Sequence, residues 1–403
     1  MIIDKIKNVF VFVVCGSNEH INTLNFSLRY LNYFSKNEII VVTDLLRNES
    51  EIFHNNILNI ITPEIYNNHQ ASIFLKTSLH KILPSGNNYC YLDTDVIAIS
   101  PEVDSVFDQY LSPITFAEDH CTMNKFSPHA VNCGCIEIHL TAIKKLNELF
   151  EELDLNNQIK DKKLRLKGEE LRKSLELMRK SSITHLKEIV RFYFSGTIYQ
   201  FKTGNYYNKK EKHWTGAEGK VILYDQENLE KRIEDASGLV WKQKENTWGT
   251  KDGNNIYESK CHHLREAIYS KFNIEIKGED YQHWNGGVFL FNDLSFDFLE
   301  LWHKYTMKIF EDSFWKTRDQ GTLIATAWQL GLQNHKVLPR QFNFIADYNN
   351  PDLKYDAKEL TFTDPSTSKK HHPFFMHVYH HFGEKGWDIW DYIERVLPES
   401  IQH

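Results

Sequence analysis

The sequence predicts an α/β fold in which a mostly parallel sheet is flanked by helices and is interrupted by a mixed helical and β insertion. Apolar runs at 8–15, 38–43 and 89–92 lack polar alternation, as expected for strands buried on both faces. Helical periodicity follows the first run and returns at 73–83, before the third. Strands and helices that alternate in this way form doubly wound parallel sheets.

The end of each predicted strand carries residues suited to a ligand site. Gly16, Asp44 and Asp93 follow the three runs, and ligands of doubly wound sheets bind beyond the carboxyl ends of the strands. The small residues Cys15, Gly16 and Ser17 leave room for a ring. Asp44 is placed to meet a ligand at this edge, and a base or a ribose if the ligand is a nucleotide, with the capping of a helix as the equal alternative.

The core pattern resumes late in the chain, with a strand at 287–291 and two helices after it. We therefore predict one domain from residues 1–140 and 281–403, with 141–280 inserted. The insertion begins with Lys-, Glu- and Leu-rich helices and continues with aromatic strands and loops. Its aromatic side chains can stack on sugar rings and favour acceptor recognition, with a small core of their own as the more common alternative for any single residue. Its charged stretch favours a solvated face or a contact between identical chains. Peripheral membrane contact is a further alternative.

The composition excludes some classes of protein. The chain has 403 residues, and its 54 acidic against 47 basic residues give a net charge of −7, which argues against a general nucleic-acid binder. No apolar run approaches the roughly 18 residues of a membrane-spanning helix. The first residues lack the features of a signal peptide, and the six cysteines show no regular disulfide framework. We therefore expect free thiols and a cytoplasmic location.

Two cysteine-containing segments do not predict a metal site on their own. Cys133 and Cys135 have the wrong spacing for a CxxC motif. Cys261, His262 and His263 are consecutive, and consecutive residues of a helix cannot converge on one ion.

A pair of carboxylates follows the third predicted strand. Asp93 and Asp95 are two residues apart, so that an extended backbone presents both to the same point. Carboxylates on a rigid support suit Mg²⁺ or Mn²⁺, which keep open positions for substrate phosphates. The alternative is a solvated turn at the end of the strand.

Five histidines between residues 371 and 381 offer a further metal ligand. The pattern of 374–380 is typical of a strand, which would direct His377 and His381 to one side and His380 to the other. Two glycines and Lys385 follow, so that the backbone can approach a ligand closely and a cation can neutralise a phosphate. The alternative is a group of surface histidines.

These segments resemble a known family. Residues 91–96, Tyr-Leu-Asp-Thr-Asp-Val, are similar to the metal-binding signature of GT-A fold glycosyltransferases, and family eight, which includes lipopolysaccharide galactosyltransferases and glycogenin, is the most similar. Residues 73–84, 284–292, 318–323 and 380–387 resemble further segments of that family in the same order. The last segment departs from the family pattern, because it is one residue shorter and has Gly386 in place of proline.

The resemblance implies a GT-A catalytic domain whose N-terminal half binds the nucleotide and whose C-terminal half meets the acceptor and the metal. It implies transfer of a sugar from a nucleotide diphosphate sugar, a UDP-sugar by preference, to a hydroxyl of a glycan, lipid or protein. Retention of configuration is favoured. It implies Mn²⁺ or Mg²⁺ as cofactor, held by Asp93, Asp95 and either His380 or His381, with His377 left open as a third choice. The expected donor-binding residues are Cys15, Gly16, Ser17, Asp44, Lys76, Asp93, Thr94, Asn285, Gly286, Gly287, Gly383 and Lys385.

Candidates for contact with the reacting sugar come from two segments. Asp319 and Gln320 match a family segment beside the reaction centre. Glu118 and Asp119 follow a short predicted strand at 114–117, from which either can reach the donor sugar or the acceptor.

Two other functions compete with this interpretation. A catalytically inactive GT-A relative would bind carbohydrate or act as a scaffold, but both carboxylates of the signature are present. A sugar-1-phosphate nucleotidyltransferase would carry a glycine-rich loop with Arg and Lys after the first strand. Residues 16–20 contain one glycine and neither base, which counts against that class.

Overall fold

The computed structural model describes residues 6–152, 173, 180 and 183–398, with short gaps in the last range. The gaps are 201–203, 218, 220, 225, 243–246, 252–254, 257–258, 279, 317–318, 350–353, 357–360 and 364–367. The chain divides into two compact units. Unit 1 is Met1–Cys133 with Cys261–His403, and unit 2 is Gly134–Lys260. The sequence predicts that the inserted unit spans residues 141–280, so that both of its expected boundaries lie later in the chain than those of unit 2.

The strands, in chain order, are β1 Asn8–Val14, β2 Glu38–Thr43, β3 Ile57–Asn59, β4 Asn88–Leu92, β5 Val96–Ala98, β6 Thr115–Thr122, β7 Ile198–Gln200, β8 Tyr206–Asn208, β9 His213–Thr215, β10 Val221–Tyr224, β11 Val240–Lys242, β12 Thr247–Gly249, β13 Gln282–Phe291, β14 Phe344–Ile345, β15 Lys354–Asp356, β16 Thr361–Thr363, β17 Lys370–His371 and β18 Phe375–His377.

The α-helices are α1 Asn18–Phe34, α2 Asn68–Thr77, α3 Leu79–Ile82, α4 Met123–Ala130, α5 Cys135–Glu152, α6 Leu186–Phe194, α7 Gln226–Ser237, α8 His263–Phe272, α9 Phe296–Ile309, α10 Asp319–Gln329, α11 Ala346–Asn349 and α12 Asp388–Val396. None of the helices in the described part of the chain has the length and apolar character needed to cross a membrane.

The central sheet of unit 1 has six strands in the order β3-β2-β1-β4-β13-β6. β1 pairs in parallel with β2 and β4, and β2 pairs in parallel with β3. β13 runs antiparallel to both of its neighbours. Because only β13 is reversed, the carboxyl ends of the other five strands lie at the same edge of the sheet. The predicted fold class, a mostly parallel sheet flanked by helices, is confirmed.

Apolar side chains alternate between the two faces of the sheet, and each face has its own core. Phe10, Phe12 and Leu92 pack beneath α1 and the C-terminal helix α12 on one face. Val11 and Phe289 pack with α2, α9 and α10 on the other. This double burial explains why the first and third strands read as continuous apolar runs.

Unit 2 contains an antiparallel sheet, β10-β9-β8-β7, and the hairpin β11-β12. Trp248, Ile233 and Leu146 form its small buried cluster, and Trp214 is 1% exposed. The expected strands are therefore present, but α7 forms where the sequence predicts strands and loops. Most of the predicted helical stretch after α5 lies outside the described residues.

We expect the aromatic group around Phe289 to stabilise the sheet. Its ring centroid lies 4.8 Å from those of Tyr91 and Phe116 and 5.8 Å from that of Trp302. Phe289→Ala leaves a cavity in this core and should lower the free energy of unfolding of unit 1 by about 3–5 kcal/mol in denaturant titrations. Phe53, 71% exposed, supplies the control, since Phe53→Ala should change it by less than about 0.5 kcal/mol. A cost equal to the control's would contradict the prediction.

Candidate functional site

Two carboxylates and an imidazole meet where β4 ends. Asp93 follows β4 directly, and its backbone N–H donates to the Gly287 carbonyl of β13 at 2.8 Å. Asp95 completes the turn into β5. One ligand atom each of Asp93, Asp95 and His377 lies within 4.8 Å of the other two. The two aspartates are 33% and 21% exposed, so that they line the surface of the sheet edge rather than its core.

His377 is the last residue of β18 and lies opposite Val96 of β5. Its Nε2 is 3.4 Å from Asp95 Oδ1, and its Nδ1 is 2.9 Å from Asn343 Oδ1. Because an amide oxygen only accepts, Nδ1 carries the proton and Nε2 faces the carboxylates. Burial lowers the pKa of His377, but Asp95 raises it more, so that the net pKa lies above its usual value.

The structure places His380 and His381 away from this trio. β18 ends at His377, so that the extended pattern expected as far as His380 stops three residues early. The backbone N–H groups of Tyr379 and His381 both donate to the Asp347 carboxylate, at 2.6 and 3.0 Å, which turns the chain. The His381 ring pairs with Glu384, and His380 is exposed.

Gly383 and Lys385 lie on the same exposed segment, and Gly383 has a φ of +80°, as a turn glycine does. Their expected contacts with the donor remain predictions.

Lys76 of α2 supplies the buried cation of the site. Its Nζ lies 3.2 Å from Asp93 Oδ1 and 2.8 Å from Asp319 Oδ2, and only 9% of its side chain is exposed. The ammonium also lies 5.0 Å from the centroid of the Tyr91 ring. Burial lowers the pKa of Lys76, but Asp319 and Asp93 raise it more, so that the side chain stays charged.

The two acidic partners of Lys76 titrate differently. Burial raises the pKa of Asp93, and neighbouring Asp95 adds to this against the opposing effect of Lys76, so that the net pKa is raised. Burial also opposes the ionisation of Asp319, but Lys76 lowers its pKa below the usual value. The Tyr91 hydroxyl donates to Asp93 Oδ1 at 2.6 Å and fixes the carboxylate.

A chain of hydrogen bonds links this trio to Asp119 of β6. Asn343 Nδ2 donates to Asn285 Oδ1 at 3.1 Å, and Asn285 Nδ2 donates to Asp119 Oδ2 at 2.9 Å. The Gln320 amide donates to the same oxygen. Burial raises the pKa of Asp119, but His283, His120 and the hydrogen bond from Asn285 lower it more. Asp119 is thus an ionised acceptor for protein groups.

β6 continues through Glu118 and Asp119 instead of ending at Ala117, as the sequence predicts. Successive residues of a strand face opposite ways, and Glu118 is exposed while Asp119 is buried. The two carboxylates therefore do not share a site.

Gly286 and Gly287 of β13 lie against these groups at a β-bulge between Asn285 and Phe289. A Cβ atom on Gly287 would lie 2.7 Å from His377 Cε1 and 2.8 Å from Asn285 Oδ1. One on Gly286 would lie 3.3 Å from Lys76 Nζ. Absence of a side chain is therefore what lets His377 and Lys76 approach the strand.

The expected nucleotide-binding residues lie at the ends of β1 and β2. Gly16 has a φ of +99°, and a Cβ there would overlap the Asn68 side chain. Ser17 caps α1, and Cys15 is buried. Thr94 lies between the two aspartates, and its carbonyl accepts from Ser27 Oγ at 2.6 Å.

Asp44 takes the capping role left open by the sequence. Its carboxylate accepts from the backbone of Leu46 at 3.2 Å and from the backbone and hydroxyl of Thr62 at 2.8 and 2.7 Å. Burial raises the pKa of Asp44, but these hydrogen bonds lower it more. Contact with a base or a ribose remains a prediction.

Sequence reasoning missed Asn343 and Tyr91, and it placed His377 last among the histidines. The sequence signal for His377 was its position inside the apolar stretch 374–378. Asn343 had none, because it reaches the site only when β14 pairs with β18.

No protein-family model and no curated protein matches the chain. Among solved structures, it is similar to the bifunctional glycosyltransferase WbbM, with 9% identity, a TM-score of 0.42 and coverage of 98% of this chain and 50% of that one. Mouse xyloside xylosyltransferase 1 is 16% identical with a TM-score of 0.21, and the match covers 28% of this chain and 54% of that one. The glycosyltransferase GlyE of Streptococcus pneumoniae TIGR4 is 14% identical with a TM-score of 0.21, and the match covers 36% of this chain and 39% of that one. The chain thus spans about half the length of the first two.

We expect Gly287→Ala to disrupt the site. The new methyl group meets the His377 ring and the Asn285 amide, which must move apart from the carboxylates. Binding of Mn²⁺, measured by calorimetry, should weaken at least about tenfold, with a loss of about 1–3 kcal/mol in the free energy of unfolding. Gly196→Ala is the control, because a Cβ there meets nothing within 4 Å. Equal Mn²⁺ affinity in the two variants would contradict this account.

Proposed function

We propose that the chain is a GT-A-type glycosyltransferase that transfers a sugar from a nucleotide diphosphate sugar, preferably a UDP-sugar, to an acceptor hydroxyl. The observation that carries the proposal is the convergence of Asp93, Asp95 and His377 at the carboxyl edge of the parallel sheet, beside a buried lysine. This edge is where doubly wound sheets bind nucleotides.

The donor set fits a divalent cation. Two carboxylates and one imidazole suit Mn²⁺, with Mg²⁺ as the alternative. Asn343 holds the His377 ring by Nδ1 and leaves Nε2 for the metal. When bound, such a cation would stabilise the charge that develops on the diphosphate leaving group.

Lys76 and Asp319 are placed to serve the donor side of the reaction. Lys76 sits between the proposed metal ligand Asp93 and Asp319, so that a sugar phosphate bound at the metal is near a fixed positive charge. Asp319 stays ionised and lies next to Gly286, where the backbone leaves space. We propose that Asp319 contacts the donor sugar, whose transition state is positively charged.

Asp119 and Gln320 have a positioning role in this proposal. Their hydrogen bond, together with that from Asn285, orients the amides that hold His377. Glu118, exposed on the other side of β6, remains a candidate for acceptor contact only. Retention of configuration stays the favoured outcome on the strength of the family resemblance. Both oxygens of Asp119 accept from protein groups, so that Asp119 is not proposed as the base of an inverting reaction.

Activity assays distinguish the transferase from an inactive GT-A relative and from a nucleotidyltransferase. Metal-dependent release of UDP from a UDP-sugar, present with Mn²⁺ and absent with EDTA, supports the transferase. Absence of release from every member of a nucleotide-sugar panel, despite binding in a thermal-shift assay, supports a carbohydrate-binding protein. Formation of a nucleotide sugar from a nucleoside triphosphate and a sugar phosphate supports the nucleotidyltransferase.

We expect Asp95→Asn to abolish metal-dependent binding of UDP. The substitution keeps the shape but removes one anionic ligand and the partner of His377. Calorimetry with UDP and Mn²⁺ should show at least about a hundredfold weaker binding. Asp108→Asn, at an exposed aspartate, is the matched control and should leave the affinity unchanged. Unchanged affinity in Asp95→Asn would refute the assignment of the metal site.

A further inference from the structure

Two cysteines and a histidine meet at the junction between the two segments of unit 1. Cys133 ends the first segment and Cys261 begins the second. Their Sγ atoms are 3.8 Å apart although 128 positions separate them in the chain. A ring nitrogen of His263 lies within 4.8 Å of both sulfur atoms.

The backbone around each ligand is fixed by unit 1 itself. The Cys261 N–H donates to the Asn124 carbonyl at 3.0 Å, and the Leu264 N–H donates to Ser127 Oγ at 2.9 Å. Next to Cys133, the backbone and side-chain N–H groups of Asn132 each donate to the loop at 313–314, at 2.7 Å. These bonds fix the backbone at or next to each of the three residues.

The distance between the sulfur atoms distinguishes the chemical options. A disulfide needs about 2.05 Å, far shorter than the 3.8 Å present. Two Zn–S bonds of about 2.3 Å at a tetrahedral angle place their sulfur atoms about 3.8 Å apart. The spacing is therefore that of two thiolates on one tetrahedral ion.

The ligand types favour zinc over the ions expected at the carboxylate site. Thiolate and imidazole suit Zn²⁺, whereas Mg²⁺ and Mn²⁺ prefer oxygen. Burial raises the pKa of Cys261, and a second ionised thiol at Cys133 would raise it further. Zinc binds the thiolate form, so that its binding would release the thiol protons to solvent.

We propose that Cys133, Cys261 and His263 bind a structural zinc ion that joins the two segments of unit 1. α8 begins at His263, so that Cys261 precedes the helix. The two ligands are thus not side by side on a helix, and the sequence-based exclusion of this segment was wrong in that premise. The fourth tetrahedral position is left for water. The site is independent of the glycosyltransferase proposal.

The test uses the full chain, purified under reducing conditions without a metal-affinity tag. Titration of the metal-free protein with Co²⁺ should produce thiolate-to-cobalt charge-transfer absorption at roughly one equivalent, which Zn²⁺ should abolish by displacement. The carboxylate site cannot produce this absorption, because it contains no sulfur.

Variants separate the ligands from other cysteines. Cys133→Ser and His263→Gln should each lower the Zn²⁺ affinity at least about tenfold, measured by competition with a chromophoric chelator. Cys90→Ala is the control, since Cys90 is buried in β4 and belongs to none of the ligand groups found in the described residues. The Co²⁺ titration of the wild-type chain tests the proposal even if a variant fails to fold. A wild-type titration without thiolate absorption, or peptide mapping that finds a Cys133–Cys261 disulfide in the reduced preparation, would overturn the proposal.

Discussion

The structure depends on compensation of negative charge at one edge of the central sheet. Asp93, Asp95 and Asp319 lie beside one another there, in contact with the Lys76 ammonium and the His377 imidazole. Removing one partner of a buried ion pair leaves an uncompensated charge, which costs more than the pair contributes. Each charged side chain is therefore kept in place because it would lose its partner by moving away. The Lys76 side chain is 9% exposed, so that water cannot replace its carboxylate partners.

The reversed strand β13 makes this charge arrangement sterically feasible. It lies between β4 and β6, so that Asn285 and the glycine pair pass directly beneath Asp93 and His377. A strand with ordinary side chains at 286 and 287 would push Lys76 and His377 away. The bulge at this point also changes the register with β6, which brings Asn285 within 2.9 Å of Asp119. The site is consequently a property of three adjacent strands rather than of the Asp-x-Asp motif alone.

The sequence predicted those parts of the site that local patterns encode. The apolar runs identified β1, β2 and β4, and the placement of Asp93 and Asp95 after β4 followed from them. The sequence left the choice among the histidines open, because strand length is decisive there: β18 pairs with β5 for only three residues, after which Asp347 turns the chain. Partners such as Asn343, and the approach of Cys133 to Cys261, depend on contacts distant in sequence, which no local pattern records.

The net charge of −7 acquires a different meaning at this edge. Asp93 and Asp95 add to the acidic total, yet a divalent cation between them would reverse the local sign and attract an anion. Burial lowers the pKa of His377, but Asp95 raises it more and so favours the charged imidazole. A metal ion and a proton would compete for the same Nε2 lone pair. The attraction of this edge for a cation therefore depends on its local surplus of carboxylates over fixed cations, and not on the overall charge of the chain. A cation bound there would in turn attract a diphosphate.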